Sequence, residues 1–310
     1  MGLNNLAHAF KSAGKFAEAE KTLRDAIKLL DEMRPGLSDT YKVSIFDTQA
    51  HSYNLLQQIL IAANKPEKAL EATEKGRARA FVELLAGRFS DDKKSINAKS
   101  PSIDKIRAIA KEQNATLVEY SIVPDDDFKF LGKQRGRGAE LFIWIVKPSG
   151  EIAFRKVDLK PLWEHNLTLD DLVSASRCLV VGIFCHQRRQ NLTKLGEEKN
   201  SKYIGLRKLH KYLIEPITDL LPKNPDERVI FIPQESLFLT PFAALQDAQG
   251  KYLIEKHTIL TAPAIQVLDL TRKQKNRLEK QNLANLKPLI VGNPIMPKVS
   301  LNGNETKQLA

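Results

Sequence analysis

A chain of 310 residues, 42% hydrophobic and 27% charged, has room for two domains and enough apolar material for a substantial core. Its longest unbroken apolar run, Leu141–Val146, is far too short to cross a bilayer, and the opening MGLNNLAHAF has no basic stretch followed by an apolar one, so no membrane partner or secretion signal is read. Two cysteines exclude a disulfide framework and point to a cytoplasmic setting, while a net charge of +11 leaves an acidic partner or nucleic acid open.

Residues 1 to about 88 read as helices. Leu3, Leu6, Ala7 and Phe10 fall at helical spacing; Gly14-Lys15-Phe16 makes a turn; Ala19, Leu23, Ala26, Ile27 and Leu30 then share one helical face. A second copy of the pattern runs through Tyr53, Leu56, Leu60, Asn64, Ala69, Thr73 and Gly76, with Ala19 and Ala69 fifty residues apart. The Arg34–Asp39 loop and a first helix lengthened back to about Ser38, whose hydroxyl can cap it, account for the long spacing. In the last helix Ala69, Thr73, Gly76 and Ala80 form a small-residue stripe, and Gly76, costly inside a helix, marks close helix packing. This alternation on paired helices resembles the tetratricopeptide repeat, whose usual period is about 34 residues. The resemblance implies a protein or peptide partner on the face of the first helix of each repeat, lined by Asn4, His8, Lys11, Asp47, Asn54 and Gln57. Two repeats are fewer than a solenoid needs for stability, so the module must lean on the second domain or on further repeats.

Residues 89–102 are polar and turn-forming and read as a linker. Behind them Ile103–Glu112 reads as an amphipathic helix. Thr116–Val123, Glu140–Val146 and Glu151–Val157 read as strands, the last two joined as a hairpin through Pro148-Ser149-Gly150, with a charged loop over Asp125–Gly138. Leu167–Gln187, Ile204–Leu221 and Ala264–Gln281 read as helices. Val229–Ile232, an unbroken apolar run closed by Pro233, predicts a strand buried on both faces and not at an edge. After it, Gln234-Glu235-Ser236 reads as a turn, Leu237–Leu239 as an extended piece, and Pro241 as the first position of a short helical turn.

The segment Glu227–Leu245, ERVIFIPQESLFLTPFAAL, resembles a signature stretch of the CHAT domain, a caspase-like module that bacteria often join to tetratricopeptide repeats. Leu206–Ile217, Tyr252–Glu255 with His257–Pro263, and Pro288–Pro294 agree with that family in order and spacing, and Glu74–Leu85 resembles the helix connecting repeats to such a domain. The fold implied is α-helical repeat hairpins over 1–88, then the N-terminal portion of an α/β caspase-like domain with a mainly parallel sheet over 103–310. The resemblance also implies a cysteine endopeptidase whose histidine and cysteine lie beyond the segment matched by Ile290–Pro294, where this sequence has no further cysteine. No catalytic residue is carried over. Leu289-Ile290-Val291 reads as one more buried strand, at an edge through which the chain can self-associate and which leaves it marginally stable.

Other candidates read as structure. Cys178 and Cys185 lie seven residues apart beside Leu172, Val181 and Phe184 as small core residues. Cys185 and His186 point about 100° apart on a helix, with no third group to orient the imidazole. His257, inside the strand-like EKHTIL, also reads as structural. Lys133–Gly138 lacks the aromatics of a nucleic-acid contact, and Arg188-Arg189 and Arg272–Lys280 read as solvated helix faces. No metal or cofactor site is read. The favoured function is protein interaction through the repeats; a fragment of a caspase-like peptidase is the alternative, and a basic nucleic-acid-associated protein the third.

Overall fold

The computed structural model describes residues 2–33, 39–77, 101–125, 136–181, 203–279, 298–301 and 305–308, with only the backbone course for 33, 39–50, 178–181 and the last two segments. The linker as far as residue 100, the Asp125–Gly138 loop beyond its two ends, the Cys185-His186 pair, Arg188-Arg189 and the Leu289–Val291 segment fall outside the described residues, as do Ser38 and Ala80.

Helices α1 (Gly2–Ser12) and α2 (Phe16–Met33) form one hairpin, α3 (Asp39–Ala62) and α4 (Pro66–Gly76) a second. Their turns are the same structure fifty residues apart. Gly14 and Asn64 take the left-handed conformation, at φ +72° and +56°. The amides of Lys15 and Lys65 reach back to the carbonyls of Phe10 and Leu60, at 2.9 and 2.8 Å. This is the bond pattern of a helix closing on a left-handed residue, and it explains glycine in one copy and asparagine in the other. Ala7, Ala19, Leu23, Leu56, Leu60 and Ala69 are buried between the helices. Lys65 and Glu20 pair at 2.8 Å from one hairpin to the other.

Helix α5 (Ile103–Gln113) starts at Ser102, whose hydroxyl accepts the Lys105 amide, and stops at Asn114 in the left-handed region. Strands β1 (Ala115–Pro124), β2 (Gly138–Val146), β3 (Ile152–Asp158), β4 (Arg228–Ile232) and β5 (Thr258–Thr261) make a sheet of order β3-β2-β1-β4-β5. β2 is antiparallel to β1 and to β3, whereas β4 is parallel to β1 and to β5. Four of the five strands therefore point one way and β2 alone is reversed. Val229–Ile232 lies inside the sheet between β1 and β5, as its unbroken apolar run requires.

The alternation along each strand serves two cores. Val118, Tyr120, Leu141, Ile143, Ile145, Val229 and Phe231 face helices α6 (Lys160–Trp163), α7 (Leu169–Val181) and α8 (Ile204–Leu213). Leu117, Val123, Phe142, Trp144, Val146, Ile230 and Ile232 face the other way, into one continuous cluster with α5 and with Ala7, Leu23, Leu60 and Leu70 of the repeats. The two hairpins thus complete their core on the sheet.

Helix α6 and strands over Lys298–Leu301 and Glu305–Gln308 have no counterpart in the sequence reading, and three elements that it located differ in extent or type. Helix α8 ends at Leu213 rather than near residue 221, because Pro216, with no N–H and a ring that crowds the residue before it, turns the chain into a 3-10 turn over Glu215–Ile217. Leu237–Leu239 is not extended but belongs to a 3-10 turn over Glu235–Leu239, entered through Glu235 at φ +52°. Pro241 precedes the turn Phe242–Ala244 instead of opening it, and seats Phe242 flat on Phe231, with centroids 4.4 Å apart and planes at 9°.

Packing divides the chain into a compact unit over Met1–Thr271 and a second over Arg272–Ala310. Helix α9 (Ile265–Glu279) begins in the first. The second holds a hairpin of β6 (Lys298–Leu301) and β7 (Glu305–Gln308), antiparallel, with Lys298 opposite Gln308.

Gly76 sits against α3 as its position in the stripe predicts: a Cβ there would lie 2.7 Å from Cβ of Tyr53. Replacing Gly76 by alanine should lower stability by about 1–3 kcal/mol through overpacking, despite alanine's better helix propensity. Urea denaturation checks this, and an unchanged or raised midpoint would remove the close-packing reading.

Candidate functional site

Helix α4 shows two faces with different work. One carries Ala69, Thr73 and Gly76 against α3; the other carries Glu67, Glu71, Glu74 and, one turn on, Arg77 toward the sheet. Even its first residue takes part, since the Pro66 carbonyl accepts Nε1 of Trp144 at 2.9 Å. Glu67 accepts Nη2 of Arg107 at 2.6 Å. Glu71 accepts the amide of Ile103 at 2.5 Å, at the start of α5. Glu74 accepts the amides of Ile265 and Gln266 at 3.0 and 3.2 Å, at the start of α9. Two carboxylates thus cap two helix N-termini, where free N–H groups and the helix dipole favour negative charge.

Arg77 ends the series where the pairing of β1 with β4 ends, at Glu119 opposite Ile232. Its Nε lies 3.2 Å from Oε1 of Glu119, Nη1 donates to the carbonyl of Pro233 at 2.5 Å, and Nη2 donates to the carbonyl of Tyr120. The pair is dry: the side chains of Arg77 and Glu119 are 6% and 0% exposed. Burial holds the Glu119 carboxyl well above its usual value, the charge of Glu74 adds to this, and Arg77 opposes it. The loop after β4 is pinned to the same place, with Gln234 Oε1 accepting the amide of Ile122 at 2.7 Å. In open α/β sheets the carboxyl ends of the strands are where ligands commonly bind. Here a repeat residue fills that place after β4.

The residues expected to line the repeat face divide. Asn4 is buried and accepts the Ser52 hydroxyl at 3.1 Å, and Gln57 is buried and accepts the Thr73 hydroxyl at 2.7 Å. Both are committed to packing between helices. Lys11 donates to Gln58, and His8, Lys11 and Asn54 are half-buried. The side chain of Asp47 lies outside the described residues. Since Asn4 meets Ser52 and Lys11 meets Gln58, α1 and α3 run parallel, side by side.

Two histidines lie within reach of the charge of Lys256. His210 on α8 is buried 3.7 Å from Glu215, and His257, just before β5, has its amide on the Leu253 carbonyl at 3.2 Å. Burial lowers both imidazoles; Lys256 lowers His257 further, and Glu215 pulls His210 the other way. Asp247 pairs with Lys256 at 2.5 Å. Among the described residues no three His, Cys, Asp or Glu side chains gather as a metal ion would need, and no helix is long and apolar enough to cross a membrane. Cys178 lies on α7, its side chain outside the described residues.

The Arg77 cluster was not singled out from the sequence, although a signal exists. Glu119 interrupts an apolar strand buried on both faces, and a charge in such a place demands a partner. The identity of that partner, 42 residues away in another module, is not a property of either segment.

Residues 204–307 match the family model of the CHAT domain. Tetratricopeptide repeat protein 28 of Mus musculus is 23% identical over 94% of this chain, and the match covers 15% of that protein. Tetratricopeptide repeat protein 28 of Homo sapiens is 34% identical over 46% of this chain and 5% of that protein. The chain spans a small part of the length of these curated relatives. Both are mammalian, so the bacterial setting implied by the resemblance gains nothing from them.

Truncating Arg77 to methionine strips one buried carboxyl and the carbonyls of Tyr120 and Pro233 of their donor. The expected cost is about 3–5 kcal/mol of stability. Arg77→Lys should recover less than half of it, because a single ammonium cannot reach three acceptors arranged for a planar fork. Thermal and urea unfolding of the three chains read both statements.

Proposed function

We propose that this chain, whose residues 204–307 match the CHAT domain model and which is similar to tetratricopeptide repeat protein 28, is a protein-interaction unit. In this reading residues 1–88 hold a protein or peptide segment, 89–102 are a linker, and 103–310 carry the CHAT fold in a cytoplasmic protein. The observation that carries the reading is the side-by-side course of α1 and α3. It lets side chains from the first helices of successive hairpins form one surface, with His8 between Asn4 and Lys11 on α1 and Asn54 between Ser52 and Gln58 on α3. Asn4 and Gln57 shape that surface from beneath, and His8, Lys11 and Asn54 are the groups offered to a partner.

A second partner is another copy of the chain. Among the described residues β5 ends the sheet, with Thr258, Leu260 and Thr261 exposed, Leu260 at 45%. An apolar strand edge of this kind pairs readily with a further strand.

No peptidase activity is assigned to residues 1–310. The resemblance puts the family's histidine and cysteine after the Ile290–Pro294 segment, and the sequence has no cysteine beyond residue 185. Assay against a peptide library should give no turnover, and turnover lost specifically in Cys185→Ala would overturn this.

Removing residues 1–88 is a poor test of binding, because it would uncover Leu117, Trp144 and Ile230. Point changes on the face separate recognition from folding. His8→Glu together with Asn54→Glu should weaken capture of cross-linked partners by about tenfold or more, equivalent to about 1.4 kcal/mol, with the unfolding midpoint unchanged. Equal recovery of the same partners by wild type and variant would refute the face.

A further inference from the structure

Glu119 and Glu74 place two carboxyl groups beside one guanidinium in a space closed to solvent, with Glu119 0% and Glu74 2% exposed. Glu119 spends Oε1 on Arg77, while its Oε2 meets no N–H or O–H donor. The group it meets is the Glu74 carboxyl, to which it is hydrogen-bonded. Both are acceptors when ionised, so a hydrogen bond between them requires a proton. Charge leads to the same point: with both ionised, the cluster holds two negative charges and one positive; with one protonated, it is neutral.

The surroundings decide which carboxyl carries the proton. Glu74 has both oxygens committed as acceptors, Oε1 to the amide of Ile265 and Oε2 to that of Gln266, at the start of α9. Glu119 has one donor, Arg77, and burial favours its neutral form. The charged groups facing Glu119 among the described residues are Glu74 and Arg77, both from α4. Across the sheet its register partners are Trp144 of β2 and Ile232 of β4, and α5 turns Ile106, Ile109 and Ala110 to this core, none of them charged. From α9 come the amides of Ile265 and Gln266, which face Glu74.

We propose that a single proton, held on Oε2 of Glu119 and donated to the Glu74 carboxylate, latches the last repeat helix onto the sheet, and that its loss at rising pH loosens α4 and the start of α9 together. The latch is structural and not a catalytic acid pair, since neither carboxyl reaches solvent or a substrate. Its sign comes from linkage. The folded chain holds this proton more tightly than the unfolded chain, so the stabilisation is complete below the ordinary carboxyl range and is lost as pH climbs through the raised value of Glu119. The same group that gives Glu74 its neighbour therefore makes the joint between repeats and sheet weaken as pH rises.

Residues 1–310 suffice for the test. Infrared spectroscopy of the wild-type chain at neutral pH should show the carbonyl stretch of a protonated carboxylic acid, fading as pH rises through the Glu119 value and absent from Glu119→Gln, which keeps shape and hydrogen bonds without the titration. Amide exchange at Ile265 and Gln266, corrected for intrinsic rates, should lose protection by about tenfold per pH unit between the ordinary carboxyl range and the raised value of Glu119, the slope of one linked proton, and level off above it. In Glu119→Gln that slope should vanish, while Leu209 of α8 serves as a control in both chains. No protonated-carboxyl band in the wild type at neutral pH overturns the proposal, even if the variant does not fold. So does a band that survives in Glu119→Gln, or an exchange slope shared by both chains.

Discussion

A guanidinium under the end of a helix, with no water to solvate it, persists only where fixed acceptors surround it, and Arg77 has three: a carboxyl oxygen on β1 and the carbonyls of Tyr120 and Pro233. Those acceptors belong to adjacent parallel strands at the edge where their hydrogen-bonding ladder ends. Arg77 therefore fixes α4 along the sheet as well as onto it. The remaining polar contacts of α4 depend on that placement. Once Arg77 is seated, its preceding turns bring Glu74 to the amides of α9, Glu71 to the amide that opens α5, Glu67 to Arg107, and the Pro66 carbonyl to Trp144.

This geometry shows what covers the second of the two hairpins. A repeat buries one face on its neighbour and needs something to cover the last one. Here the cover is the sheet, whose Leu117, Trp144 and Ile230 join the same apolar cluster as Leu23, Leu60 and Leu70. The sheet gains equally, because a strand apolar on both sides needs a layer on each. Helices α7 and α8 supply one layer; the repeats and α5 supply the other.

The two small residues of the matching turns show what the repeat preserves. Gly14 and Asn64 differ chemically but meet the same need for positive φ, and each is followed by a lysine whose amide closes the preceding helix in the same way. What the copies do not share is their outward role. Leu3 and Leu6 on α1 are exposed, whereas the corresponding Tyr53 and Leu56 on α3 are buried. The first hairpin keeps an open side and the second is built into the body of the molecule.

The sequence by itself determined the elements whose signal is local. Apolar periodicity located the four repeat helices and five strands, and Pro148-Ser149-Gly150 set the β2–β3 hairpin. The apolar run of β4 required an interior position, and the small-residue stripe of α4 required a close neighbour at Gly76. Where a single residue outweighed periodicity, the boundaries moved, as at Pro216 and Glu235. Tertiary structure alone decided which side of α4 meets which module, that Asn4 and Gln57 face inward, and that Arg77, Glu74 and Glu119 form one cluster. Periodicity records that a side chain is buried because burial depends on one face of one element. It does not record what the side chain is buried against, because a charge such as Glu119 is compensated by a group brought near only when separate elements pack.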